Sequence, residues 1–248
     1  MKMADLDALT LTVLLLGRPQ CGKSATGNTL LGSHEFESRL SLGPVTQGCQ
    51  LCCRTFHSFM RRQGRETALR LRVLDTPAYP NSLLSRQEVK QAVRDALRLK
   101  LRDGVHVLLL VVRADVPLCE EDCQFLQLAE DLFGSDWKNH GLLLITHRDA
   151  LQKAGVQEEE HLQQASGTLR TLLDSVESRH HFVDNSMGWL QEERRPILEK
   201  LAKLSGQNKH RELPFKFLVS LNPDTAIACG QNQEFVVPEK GTLTTSPY

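Results

Sequence analysis

Four apolar runs punctuate the chain: "LTVLLLG" at 11–17, "ALRLRVLDTP" at 68–77, "VHVLLLVVR" at 105–113 and "GLLLITHRD" at 141–149. A fifth and weaker one, "RHHFVDN", spans 179–185. None shows the clean polar alternation of a strand with one wet face, so they predict strands buried on both faces. Between them, 85–102, 119–133 and 156–177 space their apolar residues by three and four, the pattern of helices with one buried stripe. Strand and helix alternate. This predicts a three-layer α/β/α sandwich around a mostly parallel sheet.

One segment departs from that rhythm. From Cys49 to Leu71 two extended runs flank a polar insert centred on Gly64, which predicts an antiparallel hairpin at the sheet edge whose outgoing strand enters the sheet. Its arginines read as a solvated loop before a partner patch. Beyond about residue 220 periodicity gives way to Pro, Gly, Thr and Asn, so the expected organisation is a lead over 1–10, one folded domain over 11–220 and a flexible tail over 221–248.

Composition narrows the class. A chain of 248 residues with 40% hydrophobic content supports one sizeable core. Thirty basic residues balance thirty acidic ones, which gives no electrostatic case for nucleic acid. The apolar runs are far shorter than the roughly 20 residues of a membrane span, and the first leads straight into a glycine loop, unlike a signal peptide. Seven cysteines without a secretory signal imply reduced thiols. Cys49, Cys52, Cys53, Cys119 and Cys123 lack paired C-x-x-C spacing, so zinc is not expected. The expectation is a cytoplasmic protein without a membrane span.

The chemistry begins at "GRPQCGKSATGNTLLG", residues 17–32. Gly17-x4-Gly22-Lys23-Ser24 fits the phosphate-loop pattern and stands where that pattern works, after an apolar strand and before a helix-like segment. Backbone N–H groups of Gly17, Arg18, Pro19, Gln20, Cys21, Gly22, Lys23, Ser24 and Ala25, except that of Pro19, can wrap phosphates, and the helix amino terminus adds partial positive charge. Lys23 reaches the β and γ phosphates and Ser24 offers a hydroxyl to Mg²⁺. Pro19 fixes φ and removes a donor, and Gln20 stands where glycine often relieves strain.

Further down, "LLLITHRD" puts Asp149 just past a buried strand, at the end of the sheet where α/β proteins bind ligands. A carboxylate there accepts from both N1–H and the 2-amino group of guanine, a pair that adenine cannot present. "VLDTPA" ends another strand with Asp75, the residue type that holds Mg²⁺ through a water, and the N–H of Ala78 can face a γ-phosphate. Thr46, in "GPVTQGCQ", falls in the interval of a switch threonine that completes the magnesium shell with Ser24 and Asp75.

These residues, together with "VTQGC", "DGVHVLLLVVR…EEDCQFL", "LFGSDWKNHGLLLITHRD" and "RHHFVDN" in the same order, make the chain resemble the GTPases of immunity-associated proteins, the GIMAP family, relatives of septins and chloroplast-import GTPases. The likeness runs from about residue 11 to 205. It implies a P-loop NTPase fold of the G-domain type, with GTP or GDP and Mg²⁺ as ligands. It further implies a base motif of Thr146, His147 and Asp149, with the His147 ring over guanine. Where the family has an asparagine pair at the base edge, this chain has Asp184 and Asn185, and Asn185 is the expected contact. Self-association in the GTP state is implied as well, through groups that a second protomer supplies.

Two departures bear on catalysis. The family's "DTPG" is "DTPA" here, so a Cβ at Ala78 narrows the hinge of switch II, and no glutamine follows closely to orient a water; Gln87 lies in a helix-like stretch. Hydrolysis by an isolated monomer is therefore expected to be slow. The leading reading is a GTP/GDP switch. Its alternative is a pseudo-GTPase or scaffold with static or lost nucleotide binding, favoured by Pro19, Gln20, Ala78 and Asp184; an ATP-dependent kinase or motor would leave Asp149 unexplained.

Overall fold

The computed structural model describes residues 8–216 apart from 40, 42–44, 63, 81–82, 102–103 and 187–190. The predicted tail over 221–248 and Trp189 lie outside the described residues. Among the described residues six strands form one sheet: β1 (Ala8–Gly17), β2 (Gln50–Arg62), β3 (Arg65–Asp75), β4 (Val107–Arg113), β5 (Gly141–Thr146) and β6 (His180–Phe182), in the order β2-β3-β1-β4-β5-β6. All pairings are parallel except β2 with β3, the predicted hairpin, which turns at Gly64 with φ +79°.

The α-helices among the described residues are α1 (Lys23–Leu31), α2 (Arg86–Lys100), α3 (Gln124–Phe133), α4 (Trp137–His140), α5 (Arg148–Lys153), α6 (Glu158–Gln163), α7 (Gly167–Ser175) and α8 (Gln191–Gln207). The unbroken apolar runs now have a cause, because successive residues feed opposite layers. On β1, Leu11, Val13 and Leu15 join Leu30, Leu31, Ile197 and Leu201 of α1 and α8. Leu14 and Leu16 join Val93, Leu97, Phe125 and Leu172 of α2, α3 and α7. The same alternation on β4 separates Val107, Leu109 and Val111 from Leu108, Leu110 and Val112. A strand with helices on both faces leaves no position for a polar residue to reach water.

Two expectations are corrected. The helical stretch predicted over 156–177 is two helices, α6 and α7. It breaks where Ser166 is extended as the N-cap of α7 and Gly167 takes φ +51°, a left-handed start that no continuous helix passes through. The run from 119 opens as a 3-10 turn, Glu120–Cys123, before α3 takes over. Trp137 is a core residue, 1% exposed, with its indole N–H donated to Glu130.

The consequence for the site lies in strand order. β1 is central, and the chain goes from it through α1 to β2 and β3 on one side, then crosses to β4 on the other. The carboxyl end of β1 therefore opens into the crevice where the winding of the sheet reverses.

Candidate functional site

β1 can stop at Gly17 and turn because a side chain is forbidden there: a Cβ would lie 2.4 Å from the Val111 carbonyl oxygen and 2.7 Å from Cys21 Sγ. The loop then bends through two left-handed residues, Gln20 at φ +57° and Gly22 at φ +91°. Gly22 adopts that conformation without cost, whereas Gln20 does so against the preference of an L side chain. Gly22 is the N-cap of α1, and no side chain caps that helix end.

Within the loop the side chains divide. Cys21 is 4% exposed and packs into the core under α1, where burial raises its thiol pKa, so only its backbone belongs to the cradle. Arg18 turns away, donating to Cys119 Sγ (3.1 Å), Asp122 Oδ2 (3.1 Å) and Glu121 Oε2 (3.3 Å). Pro19, Gln20, Gly22, Lys23, Ser24 and Ala25 line a cleft of about 350 Å³. Lys23, 6% exposed, spans the loop with Nζ donating to the carbonyls of Gly17 (3.2 Å) and Arg18 (2.9 Å).

Beside Lys23 three oxygens converge. Ser24 Oγ donates to Asp75 Oδ2 at 2.6 Å and lies 3.1 Å from Thr46 Oγ1, which is itself 3.5 Å from Asp75 Oδ2. Asp75 is 1% exposed. Burial raises the pKa of its carboxyl, against the opposing pull of Lys23 and of hydrogen bonds from Ser24, Thr76 N–H and Thr46. Two hydroxyls and one carboxylate are a hard oxygen set with little charge of its own, which fits Mg²⁺, an ion that keeps waters and shares its shell with phosphate. Ala78 is buried and lines the same cleft, and the next residue anchors the turn through Tyr79 N–H to the Gly17 carbonyl (3.0 Å).

The other end of the cleft is built after β5. Thr146 is fully buried and its hydroxyl lies 2.9 Å from the Cys21 carbonyl and 3.1 Å from that of Val112. It ties this turn to the phosphate loop. His147 takes φ +61° as the N-cap of α5 and lines the cleft, as does Asp149 in the first turn of that helix. Lys153 donates to Asp149 at 2.7 Å and, with His147, holds its carboxyl below the usual range. Asn185 lines the cleft too, but both ends of its amide are engaged by α1: Nδ2 donates to Thr26 Oγ1 (3.0 Å), and Oδ1 accepts from Thr29 Oγ1 (2.8 Å). Asp184 beside it accepts from the Ser186 N–H and hydroxyl.

Arg113, Asp115 and Asn28 are among the contributors to which no role was expected from the sequence. Arg113 lines the cleft and clamps Asp115 with two parallel hydrogen bonds, Nε to Oδ1 at 2.8 Å and Nη2 to Oδ2 at 2.7 Å. Opposite charges two residues apart at the carboxyl end of a buried strand were the available signal. Asn28 of α1 holds the loop after that helix with Oδ1 accepting from Glu35 and Phe36 N–H and Nδ2 donating to the Phe36 carbonyl. Nothing local distinguishes that asparagine.

A family model described as the AIG1 family matches residues 11–226. GTPase IMAP family member 8 of Homo sapiens is 28% identical over 194 residues, 78% of this chain, and the chain spans about a quarter (27%) of that protein's length. A solved structure of Toc33 from Arabidopsis thaliana in complex with GDP and Mg²⁺ superposes with a TM-score of 0.58 at 19% identity, covering 84% of this chain and 88% of that one. Another, of the chloroplast translocon components atToc33 and psToc159, gives 0.53 at 16% identity over 80% and 84%. Its description states that dimerization is important for their GTPase activity. At such identities these two structures establish the fold.

Proposed function

We propose a function for this chain from the family to which it belongs, the AIG1 family: it is a G domain that binds GTP and GDP with Mg²⁺. One observation carries the reading. Lys23 and Ser24 at one end, and His147 and Asp149 at the other, line a single cleft, so an ammonium for phosphates and a carboxylate for a purine edge serve the same ligand.

In this reading the amides from Gln20 to Ala25, with the positive end of α1, hold the phosphates. Lys23 leaves its loop carbonyls to meet the β and γ oxygens. Ser24, Thr46 and Asp75 would hold Mg²⁺, which would supply positive charge to offset that of the phosphates. Asp149 accepts the N1–H and 2-amino protons of guanine, and Thr146 acts from behind by fixing the turn to the loop. Asn185 closes the base side through α1.

Hydrolysis by one chain is slow, since the cleft offers no glutamine next to Ala78 to orient water and positioning supplies most of phosphoryl-transfer catalysis. A second copy of the chain, associating across the cleft in the GTP state, would supply what is missing. The dimerization reported for the translocon GTPases supports that reading.

The test is nucleotide content. Purified protein should release GDP or GTP on denaturation and chromatography, and nucleotide-free protein should titrate with GDP only in the presence of Mg²⁺. Lys23→Ala should weaken GDP by at least a hundredfold, the loss of a buried charge pair with phosphate. Wild-type protein that carries no nucleotide and takes up none would leave a scaffold that works through its surface.

A further inference from the structure

Arg113 and Asp115, at and just past the end of β4, stand between the two halves of the cleft, and a proton count bears on what they do. The Thr146 hydroxyl has one hydrogen and three neighbours: the buried carbonyls of Cys21 (2.9 Å) and Val112 (3.1 Å), and His147 Nδ1 (2.9 Å). Carbonyls only accept, so a hydrogen given to either of them leaves Thr146 Oγ1 a lone pair for the histidine. With the hydrogen so placed, His147 Nδ1 is the donor. Asp115 Oδ1 stands 3.9 Å from the same nitrogen and favours a proton there.

Asp115 does not hold that place alone. Its carboxylate is gripped by Nε and Nη2 of Arg113, and the remaining Arg113 nitrogen, Nη1, reaches the Gln20 carbonyl at 3.5 Å. Gln20 and His147 are the two non-glycine residues lining the cleft in left-handed conformations, at φ +57° and +61°. The run Gln20, Arg113, Asp115, His147 therefore ends at both of them. The carboxyl of Asp115 lies below the usual range, first through its hydrogen bonds from Arg113.

We propose that Arg113 and Asp115 are positioning residues that hold His147 with its proton on Nδ1 and join the base-recognition turn to the phosphate loop. The inference rests on the guanine-nucleotide reading of the cleft for its purpose. With Nδ1 occupied, Nε2 is the acceptor and the ring orientation is set before any ligand arrives.

The tautomer is readable by ¹⁵N NMR of histidine-labelled, nucleotide-free protein at pH 7.5. Wild type should show His147 protonated on Nδ1, and Asp115→Ala should move it toward the Nε2 form. GDP affinity should fall roughly tenfold in Asp115→Ala and in Arg113→Gln, as for other residues that orient a binding group. Gln20→Gly should recover part of the loss in Arg113→Gln, because glycine holds the left-handed turn unaided. A wild-type His147 protonated on Nε2 would overturn the proposal. So would variants whose tautomer and GDP affinity stay within twofold of wild type, or an Arg113→Gln defect confined to GTP hydrolysis at high protein concentration, which would place the residue across a protomer interface. An Nδ1 proton in a wild type that binds no GDP would sink the nucleotide reading and leave the positioning intact.

Discussion

Asp75 answers two opposed demands. Burial favours its protonated form, while a magnesium ligand must be ionised. Its folded pKa lies above the unfolded value, so its contribution to stability is fully present at low pH and is lost as pH rises through the raised value. Once ionised, the buried carboxylate costs the nucleotide-free fold stability. Asp75→Asn should therefore raise the melting temperature of nucleotide-free protein by a few degrees and abolish the Mg²⁺ dependence of GDP binding, read from melts with and without EDTA. At this scale the sequence disclosed residue types better than their directions. Lys23, Ser24, Thr46, Asp75, His147 and Asp149 gather around one cleft. Arg18 and Cys21 present side chains elsewhere, and Thr146 and Asn185 spend theirs on the loop and α1, because a motif fixes spacing and leaves the rotamer to the neighbours.

Elements followed the hydrophobic pattern where burial is two-sided. The runs that predicted β1, β4 and β5 are the ones whose alternate residues fill two separate cores, whereas β3 feeds one core through Leu69, Leu71 and Val73 and leaves Arg70 exposed, against the expectation of two buried faces. The pattern failed for 156–177, where backbone chemistry at Ser166 and Gly167 outweighed a continuous apolar spacing, and the weak run at 179–185 gave β6, only three residues long. Where β1 meets β4, His106 accepts the Thr12 N–H on Nδ1 at 3.1 Å and is thereby held neutral, so its 3.5 Å approach to Glu212 is an ion pair only after protonation. Burial, helped by nearby His210, His140 and Arg72, pushes its pKa down to about 4, and burial does the same to His181. The unfolded chain takes up these protons first as pH falls from 6.5 toward 4, and stability is lost across that window. One such group gives at most about 1.4 kcal/mol per pH unit. Urea denaturation at pH 7 and pH 5 should show wild type losing about 1 kcal/mol more than His106→Gln, which keeps an acceptor for Thr12. Equal losses would mean that His106 is not held neutral.

For the whole molecule, strand order matters more than any motif. A central β1 with β3 and β4 on either side brings four loops to one rim, those after β1, β3, β4 and β5, and each contributes to the cleft: Lys23, Ala78, Arg113 and Asp149. The sequence foretold the layers and the hairpin, but not the order in which parallel strands pair, which local spacing does not encode. Among the described residues no helix is long and apolar enough to cross a membrane. The central claim, that one cleft holds phosphates through Lys23 and selects guanine through Asp149, is tested most directly by calorimetric titration of nucleotide-free wild type and Asp149→Asn with GDP, ADP and XDP. Xanthine carries a carbonyl where guanine has its 2-amino group, so an asparagine amide can serve it. The account predicts that wild type prefers GDP to XDP and ADP by at least a hundredfold, on the order of two hydrogen bonds to a charged group, and that Asp149→Asn reverses the order of GDP and XDP. Equal binding of ADP and GDP by wild type, or an unchanged preference in Asp149→Asn, would contradict it.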